Sequence, residues 1–211
     1  MSILKSLRER KKLDTKRGIA EIATRLFMKR GFDAVTVADI AAAANVSRMT
    51  VFNYFPRKED LFFDREDETK QIIRNTLVRR VGLSPAGAMR DLAQQLIEQG
   101  HPFATFTASS ARYWRTVTQS VALSARFREM RDELSKEVSS MLMESIGRSR
   151  PEAEAQLFAW LLVASLGVAH AEGLRLHRER QTNSSAQKAF LDIFDRGIGG
   201  ITAALKGTPY V

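Results

Sequence analysis

The chain has 211 residues, with 33 Lys or Arg, 24 Asp or Glu and no Cys, and 44% of its residues are apolar. A chain of this length can form a core without cross-links, and the lack of cysteine excludes disulfides, Cys-ligated metal sites and thiol nucleophiles. The apolar run 159–169 is shorter than the roughly 17 residues of a membrane helix, and residues 1–12 are charged where a signal peptide is apolar. We therefore expect a soluble cytoplasmic protein that does not contact membranes.

The positive charge is concentrated in the N-terminal part of the chain. Residues 1–60 contain thirteen Lys or Arg against seven Asp or Glu, whereas the rest of the chain is closer to balance. This asymmetry favours contact with a polyanion, most commonly nucleic acid and less often an anionic membrane surface. A solvated basic tail is the alternative.

Apolar residues recur with helical spacing throughout, and no alternating strand pattern is flanked by turn signals. We therefore predict an all-α protein of about nine helices. The first helix is predicted over residues 15–30. Thr36, with Asp39 as its capping-box partner, can begin a short second helix, and Ser47 can begin a third.

The segment 58–81 is apolar at both ends and charged in its middle. This pattern is typical of a long helix that connects two packed bodies. We accordingly predict a three-helix head over residues 14–60 and a helical body over residues 61–207.

Helix start and end signals divide the body further. Ser84-Pro85 begins a helix that ends near Gly100, residues 109–120 form another, and an apolar stripe from Leu123 to Met141 marks the next. Capping boxes at 149–152 and 184–187 are predicted to begin the last two helices.

The segment 36–55, TVADIAAAANVSRMTVFNYF, has the spacing of a helix-turn-helix. Two short helices that cross closely need small residues at the contact, which Ala41 and Ala44 supply. Asn45 tolerates the left-handed backbone of a tight turn. The other predicted core positions are Ile40, Val46, Val51 and Phe55.

The outward face of the predicted third helix carries side chains that suit a DNA major groove. Arg48 can pair with guanine, Asn53 with adenine, and Met49 or Phe52 can contact a thymine methyl group. Thr50, Tyr54 and Lys58 could bind phosphates. An ordinary three-helix core with a polar outer face is the alternative.

These residues also carry a resemblance. The order T-V-x-x-I-A-x-x-A-N-V-S-x-x-T-V-F-N-Y-F-x-x-K-E-x-L, from Thr36 to Leu61, resembles the tetracycline-repressor (TetR) family of bacterial transcriptional regulators. The motif match covers roughly residues 15–63, and the remaining chain shares no sequence motif with the family. Asn45 stands where the family usually has Gly, and Phe52 stands where Tyr is common.

The resemblance implies a ligand-responsive homodimeric transcriptional regulator, expected to be a repressor, that binds a near-palindromic double-stranded DNA operator. A basic arm over residues 5–12 could add DNA contacts or serve only as a solubilising tail. The residues expected to contact DNA are Thr36, Arg48, Met49, Thr50, Phe52, Asn53, Tyr54 and Lys58.

The resemblance further implies that the body encloses a small-molecule effector. Aromatic and Met side chains suit an adaptable apolar cavity, although residues at helical spacing are more often simple core residues. Arg112 and Arg115 could pair with an acidic ligand or be solvated, and His170 could contact the ligand, lie in the core or lie at a dimer interface. The predicted lining residues are Met89, Phe103, Phe106, Tyr113, Trp114, Val117, Phe127, Met130, Leu134 and Phe158.

The last two helices carry more apolar surface than one helical body easily covers. Pairing with a second copy would form a four-helix bundle, and two-fold pairing is the commonest symmetry. The residues expected at this interface are Leu157, Leu161, Val168, Phe190, Phe194, Ile198 and Ile201.

Other functions are less compatible with the sequence. It contains no G-x-S-x-G, H-E-x-x-H or Gly-rich phosphate loop, which argues against an enzyme. His170 and His177 share a helix face but have no third ligand at usable spacing, so we expect neither a metal nor a cofactor. A helical ligand carrier or partner-binding module without specific DNA binding is the main alternative.

Overall fold

The computed structural model of the chain describes residues 7–150 and 152–211. Over these residues it contains nine α-helices, two short 3-10 helices and no strands, which confirms the predicted all-α class. The α-helices are α1 (Leu7–Arg30), α2 (Val37–Ala43), α3 (Arg48–Tyr54), α4 (Glu66–Arg79), α5 (Pro85–Glu98), α6 (Ala108–Gln119), α7 (Val121–Ser145), α8 (Ala153–Arg178) and α9 (Asn183–Ala204). The 3-10 helices are Glu59–Leu61 and Pro102–Ala104.

The chain forms two compact units. The first contains the residues up to Asp67 together with Thr116–Arg126, and the second contains Glu68–Arg115 together with Phe127–Val211. Compactness does not show which residues bind DNA or an effector. The domain limits 14–60 and 61–207 therefore stay predictions.

The first unit is built around one apolar face of α1. Ile19, Ala23 and Phe27 are spaced four residues apart and are fully buried. Ile40 of α2 and Val51 of α3 complete this core, each with no exposed surface. The short helices α2 and α3 are thus held in place by burial rather than by their own length, which is too small for independent stability.

The predicted continuous helix over 58–81 is wrong. The segment instead contains the 3-10 helix Glu59–Leu61 and, after a break, the 14-residue helix α4. Leu61, Phe62 and Phe63 are all buried. Three consecutive side chains of a regular helix cover most of its circumference, so burying all three on one core favours an interrupted backbone.

The second unit has a core centred on α8 and α9, which pack along each other. α5 and the C-terminal residues cover one side of this pair, where the amide of Ala86 donates to the carbonyl of Tyr210. The largest fully buried side chains of this core are Phe106, Phe158, Phe190 and Tyr210.

By length and composition α8 could cross a membrane, in contrast to the shorter run 159–169 identified in the sequence. Of its most apolar 18-residue window, 44% is buried in the structure. The core helix of a soluble protein meets the same criterion. The expected absence of membrane contact stays a prediction.

Helix starts were only partly predicted. Ser84 caps α5 as expected, accepting a hydrogen bond from the amide of Gly87. The predicted capping box at 149–152 is wrong, because α8 begins at Ala153 and its preceding residue Glu152 makes no side-chain cap hydrogen bond. Pro151 of this predicted box lies outside the described residues. The carboxylate of Glu152 instead accepts a 2.6 Å hydrogen bond from Tyr210.

The box at 184–187 is also wrong. Thr182, two residues earlier, caps α9 and accepts a hydrogen bond from the amide of Ser185. Asn183 accepts a 2.8 Å hydrogen bond from the amide of Phe106, which ties this helix start to the preceding chain. A tertiary contact of this kind leaves no local sequence signal.

Candidate nucleic-acid interface

The turn between α2 and α3 has the backbone that the sequence predicted. Asn45 has φ of 53°, in the left-handed region. The amide of Val46 donates to the carbonyl of Ala41 over 3.0 Å, which closes the turn. Ala41 is 3% exposed, so its small side chain lies at the contact. The two helices are therefore joined by a tight, hydrogen-bonded turn.

Both short helices are capped at their first turn. Thr36 and Asp39 form the predicted reciprocal box, with distances of 2.8 Å and 3.1 Å between side chain and backbone. Hydrogen bonds from the hydroxyl and then the amide of Thr36 lower the pKa of the Asp39 carboxyl. Ser47 accepts a 2.9 Å hydrogen bond from the amide of Thr50, which confirms the predicted cap of α3.

The face of α3 opposite the buried Val51 is open to solvent. Arg48 and Asn53 are exposed there. Met49 is 68% exposed and Phe52 is 46% exposed, so the described residues leave these two apolar side chains largely uncovered. The face thus presents a guanidinium, a carboxamide and two apolar groups, which are the group types that read base edges in the major groove.

The predicted phosphate contacts Thr50, Tyr54 and Lys58 and the predicted DNA contact Thr36 belong to the same unit as this face. Thr36 is exposed at the start of α2, whereas Thr50 and Tyr54 are half-buried. The Thr50 hydroxyl lies 2.8 Å from the Ser47 hydroxyl. The ammonium of Lys58 lies 4.2 Å from the ring centroid of Phe32, in a cation–π contact that occupies one side of the charge.

The basic arm over residues 5–12 lies partly outside the described residues. From Leu7 onward the chain belongs to α1. Arg10, Lys11 and Lys12 are exposed on that helix. They add positive charge to the same unit as α3.

The first unit is braced by aromatic and ionic contacts. The rings of Phe27 and Phe32 lie 4.9 Å apart, and Phe62 lies 6.0 Å from Phe27. Arg126 donates to Asp60 over 2.9 Å in a largely buried ion pair. These contacts make α1 and the segment after α3 a firm support for the short helices.

The predicted effector residues are only partly brought together. Trp114 and His170 contact each other in the second unit, and Phe103, Phe106, Tyr113 and Phe127 each contact one of these two rings. The others are dispersed: Met89 and Phe158 lie deep in the core of that unit, Leu134 packs against this core, Met130 is half-buried on α7, and Val117 belongs to the first unit.

His170 lies inside this aromatic group. Its ring is 4.7 Å from Phe103, 5.0 Å from Trp114 and 5.4 Å from Phe106, and the residue is 5% exposed. Neither ring nitrogen has a hydrogen-bond partner among the described residues. Burial lowers the pKa of His170 to about 4, and the nearby backbone of Phe103 offsets only part of that shift. The imidazole is therefore neutral at physiological pH.

The sequence indicated Arg112 and Arg115 as possible partners of an acidic ligand but did not predict the groove that they line in the second unit. The groove has a volume of about 500 Å³ and is lined by Ala108, Ala111, Arg112, Arg115, His177 and Arg178. The spacing of Arg112 and Arg115 places them on one face of α6. No local pattern shows that the end of α8 lies beside that face.

The residues predicted for a dimer interface fall into two groups. Leu157 is 45% exposed and Val168 is 60% exposed on α8, with Leu161 half-buried between them. The four α9 residues are covered within their own unit, at 0–3% exposure: Phe190, Phe194, Ile198 and Ile201. Trp160, which was not predicted, is 47% exposed on α8. Of the residues predicted for this interface, only those on α8 are therefore open to a second copy.

Residues 19–64, which contain the capped helix-turn-helix, match the family model described as bacterial regulatory proteins, tetR family. This match covers about a fifth of the chain, and it shows that residues 19–64 are similar to the DNA-binding domain of that family. The HTH-type transcriptional regulator LuxR of Vibrio harveyi is 51% identical over 49 residues, which are 23% of this chain and 24% of LuxR. The probable regulator ArpR of Pseudomonas putida is 34% identical over 89 residues, 41% of this chain and 42% of ArpR.

The chain thus matches less than half the length of these curated relatives in sequence. Its fold is similar over a longer stretch. FadR of Thermus thermophilus, a tetR-family transcriptional repressor solved in complex with lauroyl-CoA, has a TM-score of 0.51 and 22% identity. The alignment covers 86% of this chain and 94% of FadR. The fold shared with this repressor extends beyond the domain that the family model matches.

Proposed function

We propose that this chain is a transcriptional repressor of the tetR family that binds a near-palindromic DNA operator as a homodimer and leaves it when a small effector binds. The open face of α3 carries this proposal. Arg48 and Asn53 supply hydrogen bonds for purines, while Met49 and Phe52 supply apolar contacts for thymine. Thr36, Thr50, Tyr54 and Lys58 hold the surrounding phosphates and set the register of α3 in the groove.

Dimerisation supplies the second half of the DNA contact. The exposed α8 residues Leu157, Trp160 and Val168 recur at helical spacing and form one apolar stripe. Two copies joined by a two-fold axis present two α3 helices to half-sites one helical turn of DNA apart, or a multiple of it. A near-palindromic operator follows from that symmetry.

An effector regulates this dimer by binding to the second unit. The related fold of FadR is known with lauroyl-CoA bound, and the aromatic group around His170 offers apolar surface for a ligand here. A ligand releases DNA only by as much as it binds the released conformation more tightly than the DNA-bound one.

The proposed protein acts in the bacterial cytoplasm at the nucleoid and is not an enzyme. LuxR and ArpR are named as transcriptional regulators. The groups on α3 suit reversible recognition, which forms and breaks no covalent bond.

Selection from a random duplex library, followed by fluorescence anisotropy on the selected sequence, tests DNA binding. We expect a palindromic selected site and an affinity that falls with salt, with a log–log slope of about −0.9 per phosphate contacted. Arg48→Ala should cost about 1–3 kcal/mol and relax the preference at one base position. Arg128→Ala, an exposed arginine on α7, is the matched control and should leave the binding unchanged.

Failure of the selection to enrich any sequence would contradict a sequence-specific regulator. Ligand binding without salt-dependent DNA binding would favour the alternative function, a helical carrier or partner-binding module. Equal loss for Arg48→Ala on selected and random duplexes would show that Arg48 binds phosphate rather than a base.

A further inference from the structure

The ring of Phe32 is held in a fixed position in the core of the first unit. Gly31 ends α1 with φ of 85°, in the left-handed region that favours glycine, and its amide donates to the carbonyl of Phe27 over 2.9 Å. After this turn the ring of Phe32 packs 4.9 Å from the ring of Phe27. Phe62 meets the Phe32 ring edge-on at 6.1 Å, and Phe32 is only 4% exposed. Neighbours on two sides therefore fix both the place and the orientation of this ring.

The ammonium of Lys58 lies over this ring. Its nitrogen is 4.2 Å from the ring centroid of Phe32 and 6.0 Å from that of Phe27. Both distances are within the roughly 6 Å over which an aromatic ring attracts a cation. The backbone of Lys58 is fixed as well, because its carbonyl accepts a 3.2 Å hydrogen bond from the amide of Leu61 at the 3-10 helix. The lysine side chain is thus held at both of its ends.

The contact with Phe32 places the charge of Lys58 without neutralising it. Lys16 shows the contrasting arrangement in the same unit: its ammonium lies 5.6 Å from the ring centroid of Phe55 but also forms a 3.1 Å ion pair with Asp67. Lys58 has no carboxylate partner among the described residues and is only half-buried. An aromatic ring carries a quadrupole but no net charge, so it attracts the ammonium and leaves the full positive charge for an anion.

An ordered lysine binds an anion more favourably than a mobile one. Immobilising a long side chain at an interface lowers the affinity about two- to tenfold, because rotamer freedom is lost on binding. The ring of Phe32 restricts Lys58 before any partner arrives, so that entropy is already lost in the folded chain. An anion on the open side of the ammonium then meets a charge that is in place.

We propose that Phe32 is a positioning residue for DNA binding. Its ring keeps the Lys58 ammonium ordered and charged, and this ammonium binds a phosphate of the DNA backbone. Phe32 is buried and does not touch the DNA itself. This role of Phe32 rests on the proposed function, in which Lys58 contacts a phosphate.

Fluorinated phenylalanines at position 32 of the full chain test the role of the ring. Fluorine withdraws electron density from the ring face and so weakens its attraction for a cation, with little change in side-chain shape. With mono-, di- and trifluorophenylalanine in place of Phe32, the affinity for the selected duplex should fall with each added fluorine. The trifluoro variant should bind about two- to tenfold more weakly, as measured by anisotropy. The same series at Phe194, which is 3% exposed in the second unit, is the matched control and should leave the affinity unchanged.

Lys58→Gln separates positioning from packing. This variant should bind DNA more weakly, and its log–log salt slope should be smaller by about 0.9, which corresponds to one lost phosphate contact. In the Lys58→Gln background the fluorine series at Phe32 should have no effect on affinity, because the ring then holds no cation. An equal fluorine effect with and without Lys58 would show that Phe32 acts only through packing and would overturn its positioning role. An affinity that rises with fluorination would also overturn it, since the ring would then compete with the phosphate for Lys58.

Arg48→Ala and a random duplex separate this role from the proposed function. Weaker specific binding in Arg48→Ala together with an unchanged affinity in Lys58→Gln would support the regulator and overturn the role of Phe32. If no sequence is enriched, the regulator is contradicted, and the fluorine series on a random duplex still tests Phe32 because phosphate contacts do not depend on sequence. A fluorine effect there that vanishes in Lys58→Gln would support the positioning role alone.

Discussion

Burial of the His170 side chain is unfavourable for the stability of the folded chain. A buried imidazole without well-formed hydrogen bonds loses its hydration and regains little from the protein, here only the weak influence of the Phe103 backbone. An apolar side chain of similar volume would avoid that cost among Phe103, Phe106 and Trp114. The unpartnered nitrogens are therefore a reason to look for a function at this position, which the proposed effector supplies.

His170 also predicts how stability depends on pH. Its pKa is about 4 when folded and 6.5 when exposed, so the unfolded chain binds the proton more readily. The contribution of the neutral imidazole to the free energy of unfolding is complete above the pKa of the unfolded chain. It is lost as pH falls from 6.5 toward 4. Between about pH 7 and about pH 5 the loss should be about 2 kcal/mol, measured by urea unfolding.

The variant His170→Leu isolates that contribution. This variant should have a free energy of unfolding that depends less on pH over this interval. His177 lies on the same helix and is only half-buried, so His177→Leu should retain the pH dependence of the parent chain. An identical slope in His170→Leu and the parent chain would assign the acid sensitivity to other groups.

Two glycines, Gly173 on α8 and Gly197 on α9, allow α8 to approach its neighbours closely. A Cβ built on Gly173 would lie 2.2 Å from the ring of Phe106, which is buried and has little room to move. A Cβ on Gly197 of α9 would lie 2.2 Å from the hydroxyl of Ser165 on α8. Glycine disfavours a helix by about 1 kcal/mol relative to alanine, so close packing is the compensating gain here.

Gly173→Ala should therefore destabilise the chain by about 1–3 kcal/mol, since the added methyl group forces Phe106 from its position. Gly167→Ala is the control on the same helix, because a Cβ there meets nothing within 4 Å. That substitution should leave stability unchanged or raise it by up to about 1 kcal/mol. Urea unfolding of both variants measures the difference, and equal effects would show that Phe106 is free to move.

The short helices α2 and α3 depend on their caps and on burial for stability. α2 and α3 have seven residues each, too few to be stable alone. Thr36 and Ser47 satisfy amides at their first turns, and Ile40 and Val51 anchor them to α1. Local hydrogen bonds thus fix where each helix begins, and burial fixes its angle.

The apolar stripe on α8 predicts that the whole molecule associates with a second copy of itself. Val168→Glu would place a carboxylate at a proposed interface, where burial without a partner is costly. The dimer dissociation constant should rise at least about tenfold, as measured by sedimentation at micromolar concentration. Val78→Glu is the matched control, because Val78 is 70% exposed on α4. A parent chain that sediments as a monomer would contradict the dimer.

The sequence alone determined the class of the fold and the nature of the head. Helical spacing, the caps Thr36 and Ser47 and the left-handed Asn45 are local properties, because each depends on residues within one or two turns. The exposed face of α3 follows from the same periodicity, since Val51 must point inward. These features could therefore be predicted from the sequence without the tertiary structure.

Only the tertiary structure decided the break after Leu61, the true starts of α8 and α9, and the groove beside Arg112 and Arg178. Each depends on residues far apart in the chain, such as Glu152 with Tyr210 or α6 with the end of α8. The periodicity of a helix indicates which face is buried but not which partner covers it. Charge clusters and unpartnered groups such as His170 therefore emerge only when distant helices are placed together.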